Sequence, residues 1–284
     1  ERAATRAIAL VLFCPVPIIE ATIGGHNDAL LMVVSALFAL FVALQQPVRA
    51  MLALALGPLV KLSGLLLPAL YGLHHVFGRL RARLGRRALA GLAVSTFVAM
   101  IVMVWLLLPV LDRYANSTAT LFGHPVDELP FCTRSVECLP RVLFQAVLHW
   151  PVASWLTGIG FRAAAGALLV FFAFRSERGA RLLAAAAAFL LFYYLYFHAF
   201  SQAWYLLSLV PLLPWIGPRL RPAAVAFCIA ALAQYALDLP FNAHCDRRPI
   251  VAVSVELVKA LIVIVPPSVL LLRAWRADRM AGDA

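Results

Sequence analysis

Ile250–Leu272 reads IVAVSVELVKALIVIVPPSVLLL, and Leu89–Val110 reads LAGLAVSTFVAMIVMVWLLLPV. Each run is close to the ~20 residues a helix needs to cross ~30 Å of hydrocarbon. The rest of the chain has the same character. Of 284 residues, 64% are hydrophobic and 13% charged, and the mean hydropathy is +0.91. A soluble domain carries ~25% charged residues. Two apolar residues in three, gathered in long blocks, exceed what a fold in water can bury. The expected fold is all-α: a polytopic transmembrane helix bundle of about eight or nine apolar segments, forming one membrane domain over residues 1–284.

The net charge of +11 would suit nucleic acid if it were gathered on one face. It is not. Arginines fall in short tracts between apolar blocks: Arg79, Arg81, Arg83, Arg86 and Arg87; Arg175, Arg178 and Arg181; Arg219 and Arg221; Arg273, Arg276 and Arg279. That is the pattern of cytoplasmic loops, so the partner is the lipid bilayer and not nucleic acid. The lysines, Lys61 and Lys259, lie inside apolar blocks. The chain opens on Glu1 without an initiating methionine or a signal-peptide n-region, and is read as a fragment that lacks earlier segments.

With the arginine tracts in the cytoplasm, the blocks alternate. Ala7–Ile23 emerges outside at Gly24–Asp28, and Ala29–Leu44 returns to Gln45–Arg49. Ala50–Val76 then has cationic residues at both ends. Gly57-Pro58 and Ser63-Gly64 interrupt it, and Gly and Pro interrupt helical hydrogen bonding. The block is read as two short helices folded as a broken, re-entrant pair, which membranes tolerate where the break is buried in protein or lines a cavity. A single span with inverted orientation upstream is the alternative. Ala88–Leu111 then goes out, Asp112–Arg141 is an external loop, and Val142–Ser154 lies along the interface with Trp150 and Trp155 as anchors, so that residues 112–155 form an external loop with an interfacial helix. Leu156–Phe174, Leu182–Phe197, Trp204–Ile216 and Ala223–Leu237 alternate. Asp238–Pro249 is external, Ile250–Leu272 goes in, and the tail is cytoplasmic.

Cys14 and Cys228 fall inside spans and read as small packing residues. Cys132 and Cys138 share the external loop with five residues between them. A disulfide there fits an oxidising face, and Cys245 in another external loop is a competing partner.

The richest polar stretch is Pro17-Ile18-Ile19-Glu20-Ala21-Thr22-Ile23-Gly24-Gly25-His26-Asn27-Asp28-Ala29-Leu30. Ionisable groups at membrane depth are expensive and mark candidate sites. Asn27 and Asp28 also suit capping of the helix that begins near Ala29, a position that binds anions as well. Glu20 is expected to pair with His26 or Lys61, or to line the site. Lys61, after the Gly57-Pro58 break, is a compact cation suited to a phosphate, or else pairs with Glu20 or a backbone carbonyl. In Tyr196-Phe197-His198-Ala199-Phe200-Ser201-Gln202-Ala203-Trp204-Tyr205, the aromatics read as an interfacial belt, or His198, Gln202 and Trp204 face a sugar-binding cavity. His74 and His75 adjoin the basic tract and read as interfacial. Glu256 and Lys259 share a helix face and read as a pair. No CxxC pair, HExxH, P-loop or GxSxG is present, so no metal site is assigned.

PxxxE followed by GGHNDAL resembles the polyprenyl-phosphate-dependent mannosyltransferases of the GT-C superfamily, above all the α-(1→6)-mannopyranosyltransferases of actinobacterial cell-envelope synthesis. Leu59-Val60-Lys61 followed by Leu65-Leu66-Leu67-Pro68 is similar to that family's lysine-bearing broken helix. Gln202-Ala203-Trp204-Tyr205-Leu206-Leu207 is similar to its QPWYLLW motif, with Ala203 in place of the usual proline. The likeness runs from about residue 7 to 216 and is dense only at these three places. It implies a membrane-bound hexosyltransferase whose active face is extracytoplasmic. An acceptor hydroxyl on a cell-envelope glycan or lipid loses its proton to a carboxylate and attacks the anomeric carbon of a polyprenyl-phosphate sugar, and the lipid phosphate leaves. In the superfamily the usual catalytic aspartate lies in the first external loop, which is expected upstream of this chain. Asp28 then serves as a second acidic residue with His26 beside it. Glu20, Asn27, Lys61, His198, Gln202, Trp204 and Tyr205 contact donor or acceptor. No cofactor is required, although a carboxylate beside Asn and His is a set that can hold a divalent cation. A transporter or lipid flippase is the alternative, since Glu20, Lys61 and Glu256 with broken helices suit one. A non-catalytic membrane scaffold is the third reading.

Overall fold

A computed structural model of the chain describes residues 11, 14–23, 28–83, 136, 140, 144, 148, 151–198, 203–244 and 249–282. His26, Asn27, Gln202, Trp150, Cys132, Cys138 and Cys245 lie outside the described residues, as do the block Ala88–Leu111 and almost all of Asp112–Arg141; so do the side chains of Trp155 and Glu256. All regular structure among the described residues is helical, with no strand. The α-helices are α1 (Asp28–Ala43), α2 (Pro47–Ala55), α3 (Gly57–Val60), α4 (Leu66–Arg83), α5 (Pro151–Arg175), α6 (Ala180–Phe192), α7 (Arg221–His244) and α8 (Pro249–Gly282). Helices α2, α5 and α8 each open on proline, whose missing N–H is one that the first turn leaves unbonded anyway.

Three helical stretches among the described residues are long and apolar enough to cross a membrane: Leu156–Arg175, Ala180–Phe197 and Leu257–Ala277. Asp28–Ala43, Pro47–Val60 and Arg221–Ala233 are shorter apolar helices. The chain is therefore a helical membrane protein. The first two long stretches fall where the sequence placed Leu156–Phe174 and Leu182–Phe197. The Ala180–Phe197 stretch is central: 56% of it is buried, against 17% and 22% of the other two. Its run Ala184–Ala188 explains this, because small side chains let neighbouring backbones approach closely when lipid supplies no hydrophobic drive. Ala186, Ala187, Phe189, Leu190 and Leu191 join the main core with Phe38, Leu54, Leu70, Leu207 and Phe227. On α8, Leu261, Val265, Val269 and Leu272 are exposed, as lipid-facing residues are.

The block Ala50–Val76 breaks where its glycines and prolines stand. Lys61 is extended (φ −164°, ψ 150°) between α3 and a short 3-10 turn at Leu62–Leu65, and the chain then doubles back along α4. The crossing is backbone on backbone. A Cβ on Gly57 would lie 2.8 Å from the Gly64 carbonyl oxygen, and one on Gly64 would overlap the Gly57 carbonyl. The turn from α1 to α2 is closed by Gln46 N–H donating to Phe41 C=O at 2.8 Å, with Gln45 left-handed at φ 58°, the six-to-one bond of a Schellman end.

Three expectations are corrected, and the form of the tail is added. Trp204–Ile216 is not an α-helical span but two 3-10 stretches, Ala203–Ser208 and Val210–Trp215. Pro211 and Pro214 remove two N–H donors, and a 3-10 helix rises ~2.0 Å per residue, so this short segment reaches ~26 Å, where an α-helix would reach ~20 Å. Asp238–Pro249 is not an extended loop, since α7 runs on to His244 and α8 starts at Pro249, the two packed along each other. The tail is helical to Gly282, because Arg, Ala and Met are good helix formers. Pro151–Ser154, expected in the interfacial stretch, belong to α5. Pro266 and Pro267 lie inside α8, where the next residue, Ser268, bonds the Tyr196 hydroxyl at 2.8 Å.

Candidate functional site

Helix α1 begins at Asp28, the tip of the α3–α4 hairpin holds Lys61, and the first 3-10 stretch carries Tyr205. These three meet. Lys61 Nζ donates to Asp28 Oδ2 at 3.0 Å and to Oδ1 at 3.3 Å, and lies 4.0 Å from the centre of the Tyr205 ring. The Asp28 side chain is 2% exposed and that of Lys61 29%. The carboxylate is thus desolvated and answered by the lysine and by the positive end of α1. The Lys61 side chain stays partly exposed, and the ring's negative face lies against its ammonium.

This corrects two readings. Lys61 pairs with Asp28 rather than with Glu20 or a backbone carbonyl, and Asp28 opens the helix with both carboxylate oxygens on the lysine. Glu20 is buried in a π-turn at Pro17–Ile23 that packs against the 3-10 stretch of Tyr205, so its segment adjoins the pair. No pairing of Glu256 with Lys259 can be described beyond the burial of Lys259 in α8.

His198 follows a π-turn at Tyr193–Phe197 and packs among aromatic rings. Its ring centre is 4.3 Å from Tyr205, 5.4 Å from Tyr193 and 5.6 Å from Tyr194. Burial, reinforced by the Lys61 charge, lowers its pKa to about 4, so the imidazole is neutral at pH 7. Tyr205 is fixed from behind. The Ser208 hydroxyl donates to the Tyr205 carbonyl at 3.0 Å and so accepts from the Tyr194 hydroxyl at 2.9 Å. Trp204 is half-buried against the core, 6.2 Å from the Tyr205 ring. Beside the pair, Leu31, Ser35, Ser63, Tyr194 and Ser208 enclose a hollow of about 10 Å³, room for about one water. The Ser63 hydroxyl lies buried there with no hydrogen-bond partner among the described residues.

Tyr194 and Ser208 were not singled out in the sequence. The signal for Tyr194 was present: it stands four residues before His198 and so shares its helical face. Cys14 and Cys228 are buried as expected, both in the main core. His74, read as interfacial, is buried and bonded to Ser176 at 2.7 Å. No group of three or more metal-ligating side chains occurs among the described residues.

No protein-family model matches the chain, and no curated protein or solved structure is significantly similar to it.

Proposed function

We propose that the chain is the membrane domain of a GT-C-like hexosyltransferase, a multi-pass bundle whose site faces the extracytoplasmic side. It transfers a hexose, mannose by resemblance, from a polyprenyl phosphate donor to a cell-envelope glycan or lipid acceptor. One observation carries the reading. The three stretches that resemble the mannosyltransferases lie far apart in sequence, yet Asp28, Lys61 and Tyr205, one from each, are in mutual contact through the Lys61 ammonium. A motif set that is only compositional has no reason to converge.

The geometry redistributes the roles. Asp28 spends both oxygens on Lys61 and is a positioning residue, not the base that takes the acceptor's proton. Lys61, held between a carboxylate and a π-face with one side open, meets the phosphate. As the acceptor hydroxyl gives its proton to the aspartate that the resemblance implies, its oxygen bonds to the anomeric carbon and the sugar–phosphate bond breaks; charge grows on the departing phosphate, and a fixed cation stabilises that state more than the ground state. Neutral His198 and Tyr205 offer an aromatic wall to the sugar.

The test is transfer of labelled mannose from polyprenyl phosphate by membranes expressing the full-length protein. Lys61→Met is expected to lower transfer by about a hundredfold, the scale of losing one preorganised donor, and Asp28→Asn by less. Wild-type activity in Lys61→Met refutes the assignment. A cysteine at Gly25 that reacts only from the cytoplasm refutes the sidedness. The buried pair at a helix break also suits a transporter; uptake into proteoliposomes without any sugar transfer favours that reading.

A further inference from the structure

The other end of the bundle holds a second polar feature. Asp28 and Gln45 lie seventeen residues apart at opposite ends of α1, about 25 Å along the axis. At the Gln45 end α1 reverses into α2, α5 reverses into α6 through Ser176–Gly179, and α4 passes beside both turns. Between them is a cavity of about 260 Å³, several times the ~30 Å³ that a water molecule occupies in the liquid.

Its floor is apolar, with Val42 and Leu182, and its walls carry Gln45, Tyr71, His75 and Arg178. No carboxylate among the described residues lines it. Glu177, next to Arg178, is bonded to Arg181 instead, and Arg178 has no acidic partner among the described residues. The walls are fixed. The Ser176 hydroxyl donates to the Ala173 carbonyl at 2.8 Å and therefore accepts from His74 Nδ1 at 2.7 Å, which ties α4 to the α5–α6 turn. Gly179 is left-handed at φ 63°, and a Cβ there would lie 3.5 Å from Gln45 Nε2, so the two turns are in contact.

The Tyr71 hydroxyl donates to the Pro47 carbonyl at 3.4 Å, which leaves amide, imidazole and guanidinium groups on the walls; with no acid among the described residues, such a preformed cavity selects an anion rich in acceptor oxygens. The guanidinium fork matches two oxygens of one phosphate. The same end carries Arg49, Arg175 and Arg181, the arginine density that faces an anionic leaflet. We propose that this cavity binds a phosphate group, as the free ion or as the headgroup of an anionic lipid, at the end of the bundle opposite Lys61. The proposal does not depend on the transferase reading.

The test is native mass spectrometry of the purified full-length protein in detergent. It is titrated with dioleoyl phosphatidate, with inorganic phosphate as competitor, and with phosphatidylcholine, whose phosphate is paired with its own cation. Wild type is expected to retain phosphatidate over phosphatidylcholine. Arg178→Gln should weaken that binding about tenfold and His75→Asn a few-fold, while Arg175→Gln, outside the cavity and set against Phe171, leaves it unchanged. Arg178 is exposed, so its replacement does not disturb the core, and an unchanged gel-filtration profile confirms this. Displacement by millimolar inorganic phosphate identifies the free ion as sufficient; resistance to it identifies the lipid headgroup. Undiminished binding by Arg178→Gln, an equal loss in Arg175→Gln, or no preference by wild type overturns the proposal.

Discussion

Replacing Lys61 by methionine keeps the length and apolar stem of the side chain and removes its charge. At the 3.0 Å separation of Nζ and Asp28 Oδ2, the attraction is about 5 kcal/mol at an effective dielectric constant near 20. Much of that offsets the cost of taking Asp28, 2% exposed, out of water. Orphaning one member of a buried pair generally costs ~3–5 kcal/mol. The 29% exposure of Lys61 lets water reach this one, which places Lys61→Met at about 3 kcal/mol. Asp28→Asn leaves a neutral amide at the same place and a lysine that can turn to solvent, for about 1 kcal/mol. With both replaced, no charge is stranded, so the double variant loses about 2 kcal/mol in place of an additive 4, a coupling near 2 kcal/mol. The measurement is reversible unfolding of the full-length protein in mixed micelles titrated with sodium dodecyl sulfate. A single-variant loss below about 1 kcal/mol, or a coupling within about 0.5 kcal/mol of zero, refutes the ion pair as an organising contact of this site.

Gly64→Ala is expected to destabilise by at least about 2 kcal/mol, the overpacking range, because its Cβ meets Gly57 backbone. Gly72→Ala in α4, with nothing within 4 Å, gains up to about 1 kcal/mol from helix propensity, and the same micelle titration reads both. His198 is neutral in the folded state down to about pH 4, and its ordinary pKa is 6.5, so the unfolded state binds the extra proton in that window. Stability should fall as pH drops from 6.5 toward 4, by up to about 3 kcal/mol, and His198→Asn should flatten that slope; an unchanged slope counts against its burial.

The helical membrane character and the hairpin were legible because each has a local cause. Block length sets the spans, and Gly57-Pro58 with Ser63-Gly64 ends the helix wherever it is placed. The partner of Lys61 was not legible. Glu20 and Asp28 are both carboxylates in the same stretch, and which one faces the lysine depends on how α1 packs against the hairpin tip. The 3-10 geometry of Ala203–Trp215 was hidden for a different reason. An apolar run with two prolines fits an interrupted α-helix equally well, and only the distance the segment has to cover separates the two. The burial of His74 was not legible, because its basic neighbours mark only a membrane edge, while its bond to Ser176 joins residues far apart in the chain.

The Gly57–Gly64 crossing has a consequence for how the hairpin responds to its surroundings. Side-chain packing yields: rotamers change, helices slide, and a thinner bilayer tilts the rods within it. Two peptide planes in contact do not compress. The apex that presents Lys61 therefore rests on a hard stop whose height is one backbone thickness.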